Sequence, residues 1–280
     1  MFQIKSKEEL SKDITKIIVE APLVADKACP GQFCVVIARE RGERIPLTLA
    51  DWDKTAGTIT LIFQKIGFST KQLAGLEAGE SIADLLGPLG HPTEIKKFGT
   101  VICIGAGVGI AELYPVSRAL QKAGNRVIAI IGARTKELLI LEEEMKNSCA
   151  ELFITTDDGT AGKLGLVTDI LKGLLSASER STHTIYPDLV YAIGPVAMMR
   201  AVSELTKEYK IKTTVSLNPI MVDATGMCAS CRCTVAGKTV YGCVDGPDFD
   251  GHQIDFEELE KRLKLFKNEE TKIGKNKKFL

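Results

Sequence analysis

The feature that most constrains this chain is a set of metal-ligating side chains near its C-terminal end. Asp223 is followed after four residues by Cys228, after two more by Cys231, and after eleven more by Cys243. Cys233 lies just beyond Cys231. Thiolates are soft ligands for iron–sulfur clusters or zinc. A loop containing Gly226 keeps Cys228 and Cys231 close. A hairpin (Arg232 to Val235, a turn at Gly237, Thr239 to Gly242) brings Cys243 back to them. Zinc ribbons prefer two Cys-x-x-Cys pairs and only one is present, so an iron–sulfur cluster is the preferred reading. Cys29, Cys34, Cys103 and Cys149 are scattered among apolar or helical segments, as packing or surface thiols are.

The charge balance excludes several function classes. Lys plus Arg and Asp plus Glu number 36 each, so the net charge offers no attraction to nucleic acid or anionic lipid. No apolar run is long enough to span a bilayer, and the charged N-terminal stretch MFQIKSKEELSKDITKIIVE lacks a signal-peptide pattern. A cytoplasmic chain with no membrane or nucleic-acid partner is expected. A length of 280 residues suggests two domains and a small appendage.

The rhythm of the chain supports that division. Residues 1–95 read as short strands (Ile14 to Glu20, Phe33 to Ala38, Gly57 to Gln64) punctuated by glycines, with one short helix from Ser69 to Leu76. Even spacing of this kind predicts an antiparallel β-barrel. The turn-rich Gly87-Pro88-Leu89-Gly90-His91-Pro92 reads as the exit from it. Residues 96–217 alternate strands (Val101 to Ile104, Val127 to Ile131, Leu152 to Thr155, Leu189 to Ile193, Lys212 to Leu217) with helices (Ala111 to Ala123, Glu137 to Asn147, Leu166 to Leu175, Ala197 to Tyr209). This alternation predicts an α/β doubly wound parallel sheet. Ser176 to Thr184 reads as a loop. Residues 218–280 form a small C-terminal domain with the cysteines, a charged helix from Phe256 to Leu265 and a solvated Lys-rich tail from Lys267 onward.

Two glycine-rich loops mark a dinucleotide site in the second region. Gly105-Ala106-Gly107-Val108-Gly109 follows a strand and opens a helix, and Gly194-Pro195-Val196-Ala197-Met198 does the same. Such loops let backbone N–H groups approach a pyrophosphate at the carboxyl ends of parallel strands. A tight strand–helix turn without a ligand is the alternative for the first loop, whose G-x-G-x-G spacing is not the full fingerprint. Arg134, beyond the second strand, is placed for an adenosine ribose or its phosphate, or else is a solvated loop arginine.

The barrel region carries Arg44-Ile45-Pro46-Leu47-Thr48 and Gly67-Phe68-Ser69-Thr70. The first follows a strand, and an Arg with a hydroxyl four residues on can bind a diphosphate and support a flavin ring through backbone groups. Each motif alone is weak. Their order is specific: barrel, Arg-x-Pro-x-Thr, Gly-x-Ser-Thr, Gly87-Pro88-Leu89-Gly90-His91-Pro92, Gly-rich strand turn, Gly-Pro with two methionines.

That order resembles the ferredoxin–NADP reductase superfamily over roughly residues 1–215. Two departures stand out: the superfamily's usual Arg place is Ile45, one position after Arg44, and the Cys many members carry before Gly-Pro is Ile193. The resemblance implies a flavin barrel preceding a nicotinamide sheet. The cysteine end resembles the electron-transfer subunit of dihydroorotate dehydrogenase, with Asp223 where that family holds its first cysteine. With Gly42 to Thr48, Gly132 to Met145 and Thr156 to Gly159, the pattern looks more like the small subunits of NADH-dependent reduced ferredoxin:NADP oxidoreductase and the related sulfide dehydrogenase small subunits.

This resemblance implies FAD, NAD(H) and a [2Fe-2S] cluster held by Asp223, Cys228, Cys231 and Cys243; Cys233, inside an expected strand just past Cys231, is read as packing, with its thiolate the rival to Asp223 as fourth ligand. It implies a heterodimer with a larger flavin and [4Fe-4S] subunit, ferredoxin reached through that subunit, and a role in electron bifurcation. No side-chain acid or base is needed, because hydride passes between cofactors. An electron-transfer subunit of a dihydroorotate dehydrogenase is the runner-up, and a zinc-stabilised regulatory flavin-binding protein is the alternative of another class.

Overall fold

The computed structural model describes residues 2–180 and 186–267. The chain forms two compact units. One takes the residues up to Pro92, Asn218–Pro247 and the segment from Asp255. The other takes Thr93–Leu217 and Asp248–Ile254.

The first unit is built on seven strands: β1 (Phe2–Ser11), β2 (Ile14–Glu20), β3 (Phe33–Ile37), β4 (Arg44–Asp53), β5 (Thr58–Gln64), β6 (Ser81–Ile82) and β7 (Asp84–Leu89). Helix α1 (Pro22–Lys27) follows β2, and α2 (Phe68–Ala74) follows β5. The order is β6-β1-β2-β5-β4-β3-β7, with antiparallel pairing throughout. The outermost strands, β6 and β7, are separated only by Ala83, so the sheet curls into a nearly closed barrel. Period-two alternation fills its interior: Ile17 and Val19 from β2, Leu47 and Leu49 from β4, and Ile59, Leu61 and Phe63 from β5. Each such side chain contributes about 1.5–3 kcal/mol on leaving water.

Three features differ from the expectations. The charged segment at the start of the chain is a ten-residue strand in which Ile4 alone is buried, so its polar faces gave no alternation to read. The exit turn begins later than expected, because Gly87, Pro88 and Leu89 belong to β7. A Cβ on Gly87 would stand 2.9 Å from Cys34 Cβ, so glycine is what lets β7 close on β3. Pro46 is tolerated inside β4 because its stretch pairs only with β3, whereas β5 pairs further along, from Leu49.

The second unit contains β8 (Thr100–Ala106), α3 (Ile110–Lys122), β9 (Arg126–Ala133), α4 (Glu142–Asn147), β10 (Glu151–Thr156), β11 (Lys163–Leu164), α5 (Val167–Arg180), β12 (Leu189–Ile193), α6 (Val196–Glu208) and β13 (Thr213–Ser216). Next in the chain, in the first unit, come the hairpin strands β14 (Arg232–Val235) and β15 (Lys238–Tyr241), then β16 (Asp248–Asp250) in the second unit and α7 (Phe256–Leu263) in the first. The second sheet runs β11-β10-β9-β8-β12-β13-β16, parallel except for the antiparallel edge strand β16. Winding goes outward from β8 through β9 to β10, then returns to β12 on the other side of β8. The topological switch point therefore lies between β8 and β12.

The helix expected over Glu137–Asn147 starts only at Glu142, because Leu141 takes a left-handed φ of 55°. The stretch expected as a loop from Ser176 is helical to Arg180; its continuation through Thr184, and the tail beyond Lys267, lie outside the described residues. In the hairpin, Ala236 and Gly237 both have positive φ, the two-residue turn whose twist suits antiparallel strands.

Candidate cofactor sites

The switch point of the second unit assembles both glycine loops. Gly107 takes a φ of 58° as β8 passes through the 3-10 turn Gly107–Gly109 into α3. A Cβ on Gly105 would stand 2.9 Å from Leu113 Cδ2, so this glycine lets α3 pack close on the strand end. A Cβ on Gly109 would stand 2.8 Å from the Ile193 carbonyl oxygen and 3.1 Å from Gly194 Cα. The loops after β8 and β12 thus touch backbone to backbone, although 84 positions separate Gly109 from Ile193 (193 − 109). Val108 is exposed at the tip, and Pro195 heads α6 by accepting from Met198 N at 2.9 Å. The segments Gly105, Gly107, Val108, Gly109 and Gly194, Pro195, Met198 are therefore brought together at the switch point, where α3 and α6 begin.

Arg134 leaves the end of β9, exposed. Its loop is braced by the turn after β10: Asp157 N donates to Ala133 O at 3.1 Å, Asp158 N to Arg134 O at 3.3 Å, and Lys136 N to Thr160 Oγ1 at 2.8 Å. Asp158 in turn accepts from Thr160, which holds its carboxyl below the usual range. The neighbourhood of Arg134 is therefore acidic, a placement for which local sequence spacing offers no signal.

The same unit holds a buried polar cluster that local sequence pattern does not reveal. Tyr191, at the centre of β12, is fully buried and donates to Asp248 Oδ1 at 3.1 Å, with Glu112 Oε1 at 3.3 Å. Ser216 Oγ donates to the same Glu112 oxygen, and Thr93 Oγ1 donates to Asp248 Oδ2 at 2.6 Å. Burial pushes the Asp248 carboxyl up to about 6 and raises the Tyr191 phenol well above its usual value. Asp248 keeps some residue surface, but its carboxylate oxygens are enclosed by these hydroxyls.

In the first unit, the turn at Gly67–Thr70 lies against the start of β4. Ser69 Oγ donates to Glu43 Oε2 at 2.8 Å, and Thr70 Oγ1 is engaged with Gly67 N and O at 3.1 Å each. Pro46 and Thr48 sit opposite Val35 and Phe33 of β3, with Leu47 pointing into the barrel. Arg44 makes a different contact. Its Nη1 meets Asp223 Oδ1 at 2.5 Å and the Asp223 carbonyl at 3.4 Å.

The cysteine segment packs on β3 through an apolar cluster of Phe33, Val35, Ala224, Cys231 and Cys243. Cys231 Sγ and Cys243 Sγ are 3.1 Å apart and both residues are buried. Burial, with the neighbouring Cys231 second, pushes the Cys243 thiol up to about 12. Cys228 is exposed, and hydrogen bonds from Ser230 lower its thiol below the usual value. Cys233 is buried inside β14, with its thiol pushed up to about 12 by burial and with Glu258 and Arg262 of α7 among its charged neighbours. Hydrogen bonding from Thr225 is the main cause holding the Asp223 carboxyl low, with Arg44 also contributing.

These donors suit an iron–sulfur cluster. Among the described residues no three Cys, His, Asp or Glu side chains converge as they would on a single ion. Instead one thiol pair is already adjacent, and Cys228 and Asp223 stand on the loop leading to it. A [2Fe-2S] cluster takes its four protein ligands as two on each iron.

The comparisons agree with this geometry. The family described as the iron–sulfur cluster binding domain of dihydroorotate dehydrogenase B matches residues 218–255. A Thermotoga maritima protein named as a homologue of the dihydroorotate dehydrogenase B (NAD(+)) electron transfer subunit is 42% identical, over 96% of this chain and 92% of its own. The electron transfer subunit itself from Bacillus mycoides is 32% identical, over 88% and 94%. A chain from the structure of NADH-dependent reduced ferredoxin-NADP oxidoreductase superposes with a TM-score of 0.90 at 40% identity, covering 98% of this chain and 96% of that one. With a flavin-reductase-type barrel, a switch-point crevice and a paired-cysteine segment in one polypeptide, the chain belongs to the family of dihydroorotate dehydrogenase B electron-transfer subunits and their homologues, and is an oxidoreductase subunit.

Proposed function

We propose that this chain is the small subunit of a bifurcating oxidoreductase of the NADH-dependent reduced ferredoxin:NADP type, passing electrons between NAD(H), FAD, a [2Fe-2S] cluster and a larger partner subunit. The observation that carries the reading is the end-to-end likeness to a chain of that enzyme, at 40% identity and a TM-score of 0.90. When bound, the flavin exchanges two electrons with nicotinamide and releases them singly, which is what a cluster can accept. The reading divides the labour among residues 1–95 for FAD, 96–217 for NAD(H) and 218–280 for the cluster.

The residues of this chain hold and orient. Gly105, Gly107, Val108 and Gly109, with Gly194, Pro195 and Met198, take the dinucleotide along the crevice rim, where backbone donors face phosphate. Pro46, Leu47 and Thr48 offer the strand backbone on which a flavin ring rests, and Gly67, Ser69 and Thr70 offer donors to its diphosphate. Asp223, Cys228, Cys231 and Cys243 ligate the cluster. No residue acts as acid or base. The larger subunit carries flavin and [4Fe-4S] centres and reaches ferredoxin, and the complex is cytoplasmic. Among the described residues no helix is long and apolar enough to cross a membrane.

The test is co-purification from the native host. A larger iron–sulfur flavoprotein should accompany the chain, and the pair should reduce ferredoxin with NADPH only when NAD+ is present. A partner that oxidises dihydroorotate would replace this reading with its runner-up, which the names of the curated relatives favour. A colourless zinc protein would remove both.

A further inference from the structure

We infer that Arg44 is a positioning residue for the cluster, holding Asp223 in place and setting the charge beside it, rather than a ligand of the flavin diphosphate. The inference rests on the reading of Asp223 as a ligand.

Strand alternation is the first support. Ile45, Leu47 and Leu49 belong to the barrel core, so Arg44, Pro46 and Thr48 occupy the other face of β4. Their β3 partners are Ile37, Val35 and Phe33, and Phe33 and Val35 are the residues that pack with Cys231, Cys243 and Ala224. Arg44 therefore stands on the face that carries the cysteine segment. The diphosphate candidate Ser69 donates to Glu43, the residue before β4, whereas Arg44 meets Asp223.

The second support is the carboxylate itself. Arg44 takes Asp223 Oδ1, while Thr225 donates to Oδ2 through its backbone N–H at 3.1 Å and through its hydroxyl. The Met227 backbone also hydrogen-bonds this carboxylate, so its orientation is fixed from within its own loop as well as by Arg44. Its position is thus defined by donors from two distant segments. Arg44 Nη1 also reaches the Asp223 carbonyl at 3.4 Å, so the guanidinium holds both the backbone and the side chain of the ligand loop. A cation on a cluster ligand favours the reduced, more negative state. A lysine can keep the charge without the planar fork.

The experiment uses the intact complex with FAD added to saturation. The readouts are the cluster's EPR signal, its midpoint potential by mediated titration, and FAD content. Arg44→Gln should shift the potential to more negative values and broaden the EPR signal while FAD binding changes less than about twofold. Arg44→Lys should recover most of the potential shift but not the line shape. Asp223→Asn should alter both, and adding Arg44→Gln to it should change little further. An unchanged cluster in Arg44→Gln, with FAD affinity down roughly tenfold or more, overturns the inference and returns Arg44 to the diphosphate. A shift in Arg44→Gln that persists undiminished alongside Asp223→Asn also overturns it, since Arg44 would then not act through Asp223. Failure of the underlying reading looks different: Asp223→Ala would leave EPR and potential untouched, or the wild type would show no cluster signal.

Discussion

Cys231 Sγ and Cys243 Sγ stand 3.1 Å apart in the apolar cluster that joins the cysteine segment to β3, whereas Cys233 is buried in β14 near charged groups of α7. Under the proposed ligand set the first pair would hold the cluster and Cys233 would serve packing. Cys231→Ser or Cys243→Ser should abolish the [2Fe-2S] visible and EPR signals. Cys233→Ser should leave the signal and potential almost unchanged while lowering stability by about 1 kcal/mol, measured by urea unfolding. Loss of the cluster in Cys233→Ser would make the site all-cysteine.

At the switch point, Gly109 has no room for a side chain against the backbone of Ile193 and Gly194. Gly109→Ala should push the two loops apart and misplace the nicotinamide. Flavin reduction by NADH in stopped flow should slow by roughly 10²-fold, with FAD and cluster contents intact. A rate within threefold of wild type would place the nicotinamide elsewhere.

The surroundings of Arg134 bear on nucleotide choice. Asp157 and Asp158 are tied to its loop by backbone hydrogen bonds, and two acidic residues there would weaken the attraction of Arg134 for a 2′-phosphate. NADH should reduce the flavin at concentrations at least about tenfold below those needed with NADPH. Replacing both aspartates with serine should narrow that ratio, measured as the half-saturating concentration for each nucleotide. Tighter, faster reduction by NADPH in the wild type would reverse the assignment.

Asp248 gives the fold a pH dependence of definite sign. Burial raises its carboxyl to about 6, whereas in the unfolded chain it titrates near ~3.9. Between these values the folded state binds more protons than the unfolded one. Stability from this group is therefore highest below pH ~4 and declines as pH rises to about 6, by on the order of 2–3 kcal/mol. Asp248→Asn removes the titrating group, with one of the two hydroxyls turned to accept from the amide instead of donating, and should flatten this component. The difference in Tm between variant and wild type should grow in favour of the variant from pH 4.5 to pH 7. A constant difference would mean that the carboxyl ionises normally.

Much of the architecture is written in local pattern. Alternation over Ile14–Glu20 and Thr58–Gln64 marks two barrel strands almost to the residue, because one face of each meets the core. The apolar runs at Leu189–Ile193 and in β8 mark buried parallel strands, and glycines at their ends mark the crevice. β1 and β16 are not legible, since a mostly polar strand and a three-residue strand leave no periodic trace. The buried cluster of Glu112, Tyr191, Ser216 and Asp248 was equally silent, because its members lie on four separate elements.

What the sequence by itself determined is therefore everything that depends on neighbours along the chain: strand and helix periods, glycine positions, and the spacing of thiols able to take a cluster. Only the tertiary structure decided what those residues do with distant partners. It turned Arg44 toward Asp223, 179 positions away, and brought Gly109 against Gly194. The physical reason is that such contacts are set by which strands the sheet places side by side. That order is a property of the whole packed core, and no local spacing encodes it.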